Sequence, residues 1–185
     1  LARAARMTHA KYVWDFFIDN AICPDGTAWF TLGHGNLGTL ALDTDPLVTA
    51  ITALANMTEP GASGEKIGLD LTSFKWHLVA PIDLWDLAVK KNQTDAVFSS
   101  NDLTDKEPNP CQRLFGAQNE RIIICPFMTD ANDWGVIRDP EEVSLVEMSY
   151  YAGNEDPEFI IEVGPTEEHV LRQDRLGYKI RHEYG

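Results

Sequence analysis

The chain has 185 residues, of which 44% are hydrophobic and 24% are charged, and its formal net charge is -14 at pH 7. These proportions are typical of a globular protein with a sizeable core and exclude a disordered chain. No apolar run approaches the roughly 20 residues that a membrane helix needs. The acidic balance argues against a surface that grips nucleic acid, because such binding requires Lys and Arg to neutralise phosphates.

The first predicted element is a helix over residues 1–19. An apolar face at spacings of three and four residues is formed by Met7, Ala10, Trp14 and Phe17. We expect this face to join the helix to the last strands of the chain. No capping residue precedes the first residue, so we also expect the helix to enter from upstream and the chain to be a fragment.

Two further helices are predicted by their starting residues. Asp45 before Pro46 combines a good capping side chain with a proline in the first turn. The apolar face of this second helix consists of Leu47, Ile51, Leu54 and Ala55. Pro81 opens the third helix, whose apolar face consists of Leu84, Leu87 and Ala88 and whose carboxyl end carries two lysines suited to the helix dipole.

Strands dominate the second half of the prediction. A strand region beginning near Leu69 ends in Leu78, Val79 and Ala80, and the polar stretch from Asn92 to Pro110 is predicted to be a loop. Later strands are predicted at 122–125, 134–137, 143–151, 159–163 and from 178 onwards, with a turn at 152–157 that makes a hairpin of the third and fourth. This order is typical of an α+β fold with a mixed sheet followed by antiparallel strands.

One motif resembles a nucleotide site. Gly33 to Gly38 reads Gly-His-Gly-Asn-Leu-Gly and satisfies GxGxxG. A dinucleotide fingerprint leads directly into a helix, whereas the next helix here starts only near Pro46. We therefore interpret the motif as a glycine-permitted turn after a strand around Trp29 and Phe30, and we predict no cofactor.

Catalytic and metal signals are weak throughout. Ser63 lacks the spacing of a nucleophile elbow, and no HExxH motif is present. The cysteines are widely spaced without a CxxC pair, which argues against a zinc site and against a disulfide frame. We expect structural roles for His34, His77 and His182. The prediction is that the protein is not an enzyme and binds no metal.

Charge is distributed unevenly near the end of the chain. The stretch from Asp139 to Glu168 contains ten carboxylates and no Lys or Arg, and basic residues follow it. We predict that complementary patches meet between neighbouring copies, where charge sets register. The candidate interface residues are Arg3, Arg6, Glu155, Glu158, Arg172 and Arg175. The alternative is a solvated hairpin whose charges flank each other within one sheet.

Several segments, taken in order, carry a family resemblance. They are ArgAlaAlaArg from Arg3, AspGlyThrAlaTrpPhe from Asp25, HisGlyAsnLeuGly from His34, TrpHisLeuValAlaPro from Trp76, ArgIleIleIleCysProPhe from Arg121, AsnAspTrpGlyValIle from Asn132 and TyrLysIleArgHisGluTyrGly from Tyr178. In this order and spacing, the chain resembles the major capsid proteins of tailed phages with the Hong Kong-type shell fold. It is most similar to the Mu-like major head subunit branch.

The resemblance implies a division of the chain into three parts. Residues 1–32 would be the end of the spine helix and the following turn of the peripheral domain, 33–138 the axial domain, and 139–185 the peripheral-domain strands. The implied function is an icosahedral shell of hexamers and pentamers, assembled in the bacterial cytoplasm and present in the virion around the DNA. The implied partners are other copies of the chain, with a portal, a scaffold or a maturation protease as candidates. The resemblance implies neither specific nucleic-acid binding nor membrane contact. The alternatives are a small cytosolic α+β enzyme and a monomeric binding module.

Overall fold

The computed structural model describes residues 2–58, 64, 66, 75–98, 105–139, 141, 146, 149–150, 158–162 and 177–181. Its helices are α1 (Ala2–Ile18), α2 (Thr44–Ala55) and α3 (Trp85–Gln93), and a short 3-10 turn (Ile82–Leu84) precedes α3. Its strands are β1 (Trp76–Ala80), β2 (Ala96–Phe98), β3 (Lys106–Pro108), β4 (Ile122–Ile124), β5 (Gly135–Arg138), β6 (Glu158–Glu162) and β7 (Gly177–Arg181). The predicted α+β class is confirmed.

The chain forms two compact units. One consists of Leu1–Val13 with Leu145–Gly185, and the other of Trp14–Ser144. We call them the terminal unit and the central unit. The predicted domain boundaries at residues 32 and 138 stay a prediction.

The central unit is built on a mixed sheet in the order β4-β1-β5. β1 runs parallel to β4, with Leu78 opposite Ile122, and antiparallel to β5, with Leu78 opposite Val136. Trp76 and Leu78 of β1 are fully buried, while His77 between them is half-buried. Val79 and Ala80, which follow, are also buried, so the second half of β1 is covered on both faces.

Helices α2 and α3 cover the core-facing side of this sheet. Leu47 and Ile51 of α2 are buried with Ala88 of α3 in one apolar cluster. Phe115, from the loop before β4, completes the cluster. The predicted apolar face of α2 is therefore confirmed. Pro81, the predicted start of the third helix, precedes the 3-10 turn, and α3 itself begins four residues later at Trp85.

The predicted cap of α2 was wrong by two residues. Asp43, with an extended backbone (φ -153°, ψ 176°), is the capping residue, and its carboxylate accepts a 2.6 Å hydrogen bond from the Thr44 backbone N–H. Asp45 and Pro46 lie in the first turn instead. A proline is tolerated there because the backbone N–H groups of that turn have no partner within the helix.

The predicted loop at 92–110 was also wrong in part. Its first two residues end α3, and β2 and β3 pair antiparallel, with Val97 opposite Glu107. Each strand has only three residues, and β3 reads Lys-Glu-Pro, so neither shows an alternating apolar pattern.

No strand forms around Trp29 and Phe30, which corrects a third prediction. In this part of the chain, which the structure describes fully, Ile22 and Ala28 make an isolated bridge. Backbone groups that would pair with a neighbouring strand are instead hydrogen-bonded to side chains. Asn20 Oδ1 accepts from Phe30 N at 2.6 Å, and Asn36 Nδ2 donates to Trp29 O at 2.8 Å.

The first helix is confirmed over Ala2–Ile18, but its expected apolar face is divided. Met7 is exposed, which contradicts its expected place in a packed face. Phe17 lies 5.6 Å from the Trp14 ring and 5.1 Å from the Trp29 ring, measured between centroids. The carboxyl end of α1 therefore packs on the segment that follows it.

In the terminal unit, β6 and β7 form an antiparallel pair with Ile160 opposite Lys179. The predicted strands at 159–163 and from 178 onwards are confirmed over the described residues of each. Most of the predicted strand at 143–151, and all of the turn at 152–157, lie outside the described residues. The same unit contains a contact between the Tyr150 hydroxyl and His9 Nε2 at 3.3 Å.

Candidate functional site

The six predicted interface residues fall into three groups. Arg3 and Arg6 are exposed on α1. Glu158 is exposed at the start of β6. The remaining residues, Glu155, Arg172 and Arg175, lie outside the described residues. Their role between copies stays a prediction.

Glu158 has a partner within its own sheet. It lies directly opposite Arg181 of β7, whose Nη2 and Nε donate to Glu158 Oε2 at 2.7 and 3.1 Å. Both side chains are about half exposed, with relative accessibilities of 54% and 51%. Solvent therefore screens the pair, which contributes at most about 1 kcal/mol. This arrangement is the one that the alternative of charges flanking each other within one sheet predicts for Glu158.

Residues 20–42, which we call the aliphatic loop, form a second candidate surface in the central unit. Four of its large side chains are exposed: Ile22 by 76%, Leu32 by 80%, Leu37 by 45% and Leu40 by 61%. Single exposed apolar residues are normal, whereas four of them within one segment make that segment a candidate contact surface.

His34 holds the aliphatic loop in shape. Its Nδ1 lies 3.0 Å from the Trp29 carbonyl oxygen, and its Nε2 lies 2.9 Å from Asp25 Oδ2. Both partners are acceptors, so both ring nitrogens donate when the imidazole is protonated. These two contacts raise the pKa of His34 above its ordinary value of 6.5. Hydrogen bonds from Thr27 and His34 lower the pKa of Asp25 to about 2.

The Gly33–Gly38 motif lies inside this loop as a turn. Gly35 has φ +67°, a left-handed conformation that favours glycine, and Gly35 N donates to Leu32 O at 3.1 Å. The next helix begins only at Thr44. The interpretation of the motif as a turn is therefore confirmed, and the geometry offers no helix amino end to a pyrophosphate.

Burial changes the proton affinity of two other titratable groups. Cys111 is buried, and burial raises the pKa of its thiol to about 11, so the thiolate is scarce at neutral pH. Burial likewise lowers the pKa of His77 in β1. Within the described part of the chain, no three metal-ligating side chains converge on one point.

None of the helices among the described residues is long and apolar enough to cross a membrane.

The described part of the chain thus combines a buried core with an exposed apolar segment and a surface ion pair. All of it, residues 1–185, matches the family described as phage capsid protein, and the chain belongs to that family. A protein of this family is a structural component of a bacteriophage shell, associates with itself and is part of the virion. No curated protein and no solved structure gives a significant match.

Sequence reasoning missed the aliphatic loop as a surface. A signal for it exists: Asp25 is the only acidic residue between Asn20 and Leu42, and Lys and Arg are absent there. Depletion of charge around several leucines is the composition expected at the centre of an interface.

Proposed function

We propose that this protein is the major subunit of the icosahedral head of a tailed phage or prophage, with a Hong Kong-type fold of the Mu-like branch. The observation that carries the proposal is the match of the whole chain to the phage capsid family. The α+β architecture and the order of the resembling sequence segments support it. In this proposal α1 is the end of the spine helix, the β4-β1-β5 sheet belongs to the axial domain, and β6 and β7 are peripheral-domain strands.

Copies of the subunit would form hexamers and pentamers, assemble in the bacterial cytoplasm and enclose the DNA without binding it specifically. The net charge of -14 supports the last point, because an acidic wall repels phosphate. The structural character of the family supports the absence of catalytic activity. A portal, a scaffold and a maturation protease are proposed partners.

Size in solution tests this proposal. Electron microscopy and sedimentation of the full-length protein should show closed shells or rings. A compact monomer at every concentration would contradict the capsid function, and a monomer with a bound small molecule would favour an enzyme or a binding module.

We propose in addition that the acidic stretch 139–168 of one copy meets the basic residues of another. The exposed guanidinium groups of Arg3 and Arg6 support this role, because a shell of acidic chains needs cations where copies approach. Glu155, Glu158, Arg172 and Arg175 are the other proposed members. The pair formed by Glu158 and Arg181 makes Glu158 the weakest member, since its charge already has a partner within the chain.

Substitution of the basic residues Arg3 and Arg6 is therefore a better test of this interface than substitution of Glu158. Arg3→Glu with Arg6→Glu should slow assembly, and raised salt should slow wild-type assembly in the same direction, because exposed pairs are screened beyond about 8 to 10 Å. A matched control, Lys90→Glu with Lys106→Glu, changes net charge equally at exposed positions of the central unit. Equal assembly rates for the two double variants would show that total charge, and not this surface, governs assembly.

A further inference from the structure

We propose that the aliphatic loop, residues 20–42, is a contact surface for a second copy of this chain. The inference rests on the proposed function, since it names the surface through which a self-associating capsid subunit is covered. Ile22, Leu32, Leu37 and Leu40 supply the exposed apolar area.

The loop is already ordered before any partner arrives. Asn20 makes two hydrogen bonds to the backbone of Phe30, and Asn36 bonds the backbone of both Trp29 and Thr31. The carboxyl-terminal part is fixed to the rest of the central unit by the Trp134 indole, which donates to Leu40 O at 2.9 Å. A preformed surface loses little conformational entropy on binding, so its apolar area is available for association.

Charge favours a second copy as the occupant. Two chains that each carry a formal charge of -14 repel each other over most of their surfaces, and they can approach where charge is absent. Within the aliphatic loop the single carboxylate, Asp25, lies 2.9 Å from the imidazole of His34. The adjoining Asp43 is held by the Lys91 ammonium. The loop is therefore close to neutral.

The composition of the exposed side of the loop also fits. Its exposed aliphatic residues have no Lys or Arg among them, and depletion of charge is typical of the centre of an interface.

Replacement of two leucines tests the surface. In the full-length protein, Leu32→Gln with Leu40→Gln should raise the protein concentration needed for assembly at least tenfold. The thermal unfolding midpoint of the unassembled subunit should stay unchanged, because both side chains are exposed in the single chain. Val48→Gln, an aliphatic-to-amide change at an exposed position of α2, is the matched control and should assemble as the wild type does.

A crosslinking experiment identifies the occupant. A photoreactive amino acid in place of Leu32 should, on irradiation of assembled protein, join two copies of the chain, and peptide mapping should place one end of the link at position 32. The proposal requires both results. Wild-type-like assembly of the double variant, absence of an interchain link, or a link to a different phage protein each overturns it.

The two proposals fail in different ways. If the wild-type protein stays monomeric, the capsid function itself is contradicted together with this surface. If the wild type assembles while the double variant assembles equally well, only the role of the aliphatic loop is refuted.

Discussion

Replacement of Asn92 by alanine should cost the central unit much of its stability. Asn92 is almost fully buried at the end of α3, and its side chain makes three hydrogen bonds. Nδ2 donates to Gly116 O and to Asn119 Oδ1, both at 2.8 Å, and Oδ1 accepts from Phe115 N at 2.9 Å. One amide thus links the helix to the loop that carries Phe115 into the core.

The magnitude follows from the groups left behind. In Asn92→Ala, the buried N–H of Phe115 and the carbonyl of Gly116 each lose a partner, and an unsatisfied buried group costs about 1–3 kcal/mol. We therefore expect a loss of about 2–6 kcal/mol, a large part of the roughly 5–15 kcal/mol that stabilises a domain. Urea unfolding followed by tryptophan fluorescence measures this, because Trp76 lies in the same core.

Two further variants separate hydrogen bonding from volume. Asn92→Asp is nearly isosteric but presents an oxygen to two acceptors, so it should destabilise at least as much as alanine. Asn119→Gly removes one of the three bonds and leaves one Asn92 N–H without its acceptor, while glycine retains the positive φ of 62° found at that position. It should therefore cost about 1–3 kcal/mol, less than Asn92→Ala, which leaves two groups without a partner. A loss below about 1 kcal/mol for both Asn92 variants would refute the reasoning.

Three other predictions concern the central unit. Gly116→Ala should lower the free energy of unfolding in urea by more than about 1 kcal/mol, because Gly116 has φ +92° and the Glu120 side chain occupies the space of a Cβ. Gly135→Ala is the control and should leave stability unchanged, because an added Cβ there meets nothing within 4 Å. NMR titration should show the pKa of His34 above 6.5 in the folded protein. The stabilisation from its hydrogen bonds is then fully present below pH 6.5 and is lost as the pH rises through the pKa of the folded protein. A His34 pKa equal to 6.5 would contradict this. Trp14→Ala should cost about 1–3 kcal/mol, because this ring is only partly covered, and a change below about 0.5 kcal/mol would make α1 a solvated spacer.

The helices of the central unit could be predicted because their signals are local. A proline at or shortly before the start and apolar residues every three or four positions mark α2 and α3, and the same apolar residues pack in the core. The cap was misplaced because Asp43 and Asp45 both satisfy the rule, and only the backbone conformation decides between them.

Two other differences involve asparagine side chains that bond to the backbone outside their own turn. Asn92 looks like a loop residue because asparagine favours turns, yet its partners lie 23 to 27 positions away and make it a buried link. The segment at Trp29 has strand-forming residues, but side-chain hydrogen bonds from Asn20 and Asn36 replace sheet pairing. Neither set of hydrogen bonds produces a hydrophobic periodicity by which it could be recognised in the sequence.

The candidate surfaces follow the same rule. Charge segregation was visible in the sequence, but the cross-strand contact between Glu158 and Arg181 depends on the register of β6 and β7. The hydrophobic residues of the aliphatic loop show neither a helical nor a strand periodicity. Its leucines differ from core leucines only because hydrogen bonds fix the backbone in a form that leaves them outside.

The terminal unit combines two segments that are far apart in the sequence, and this affects when it can fold during synthesis. Residues 1–13 leave the ribosome long before residues 145–185, with which they form one compact unit, and the contact of His9 with Tyr150 spans 141 positions. The central unit, residues 14–144, can fold while translation continues, whereas the terminal unit must wait for the later segment. The aliphatic loop of the central unit is therefore synthesised and able to fold earlier than the surface of the terminal unit that carries Arg3 and Arg6.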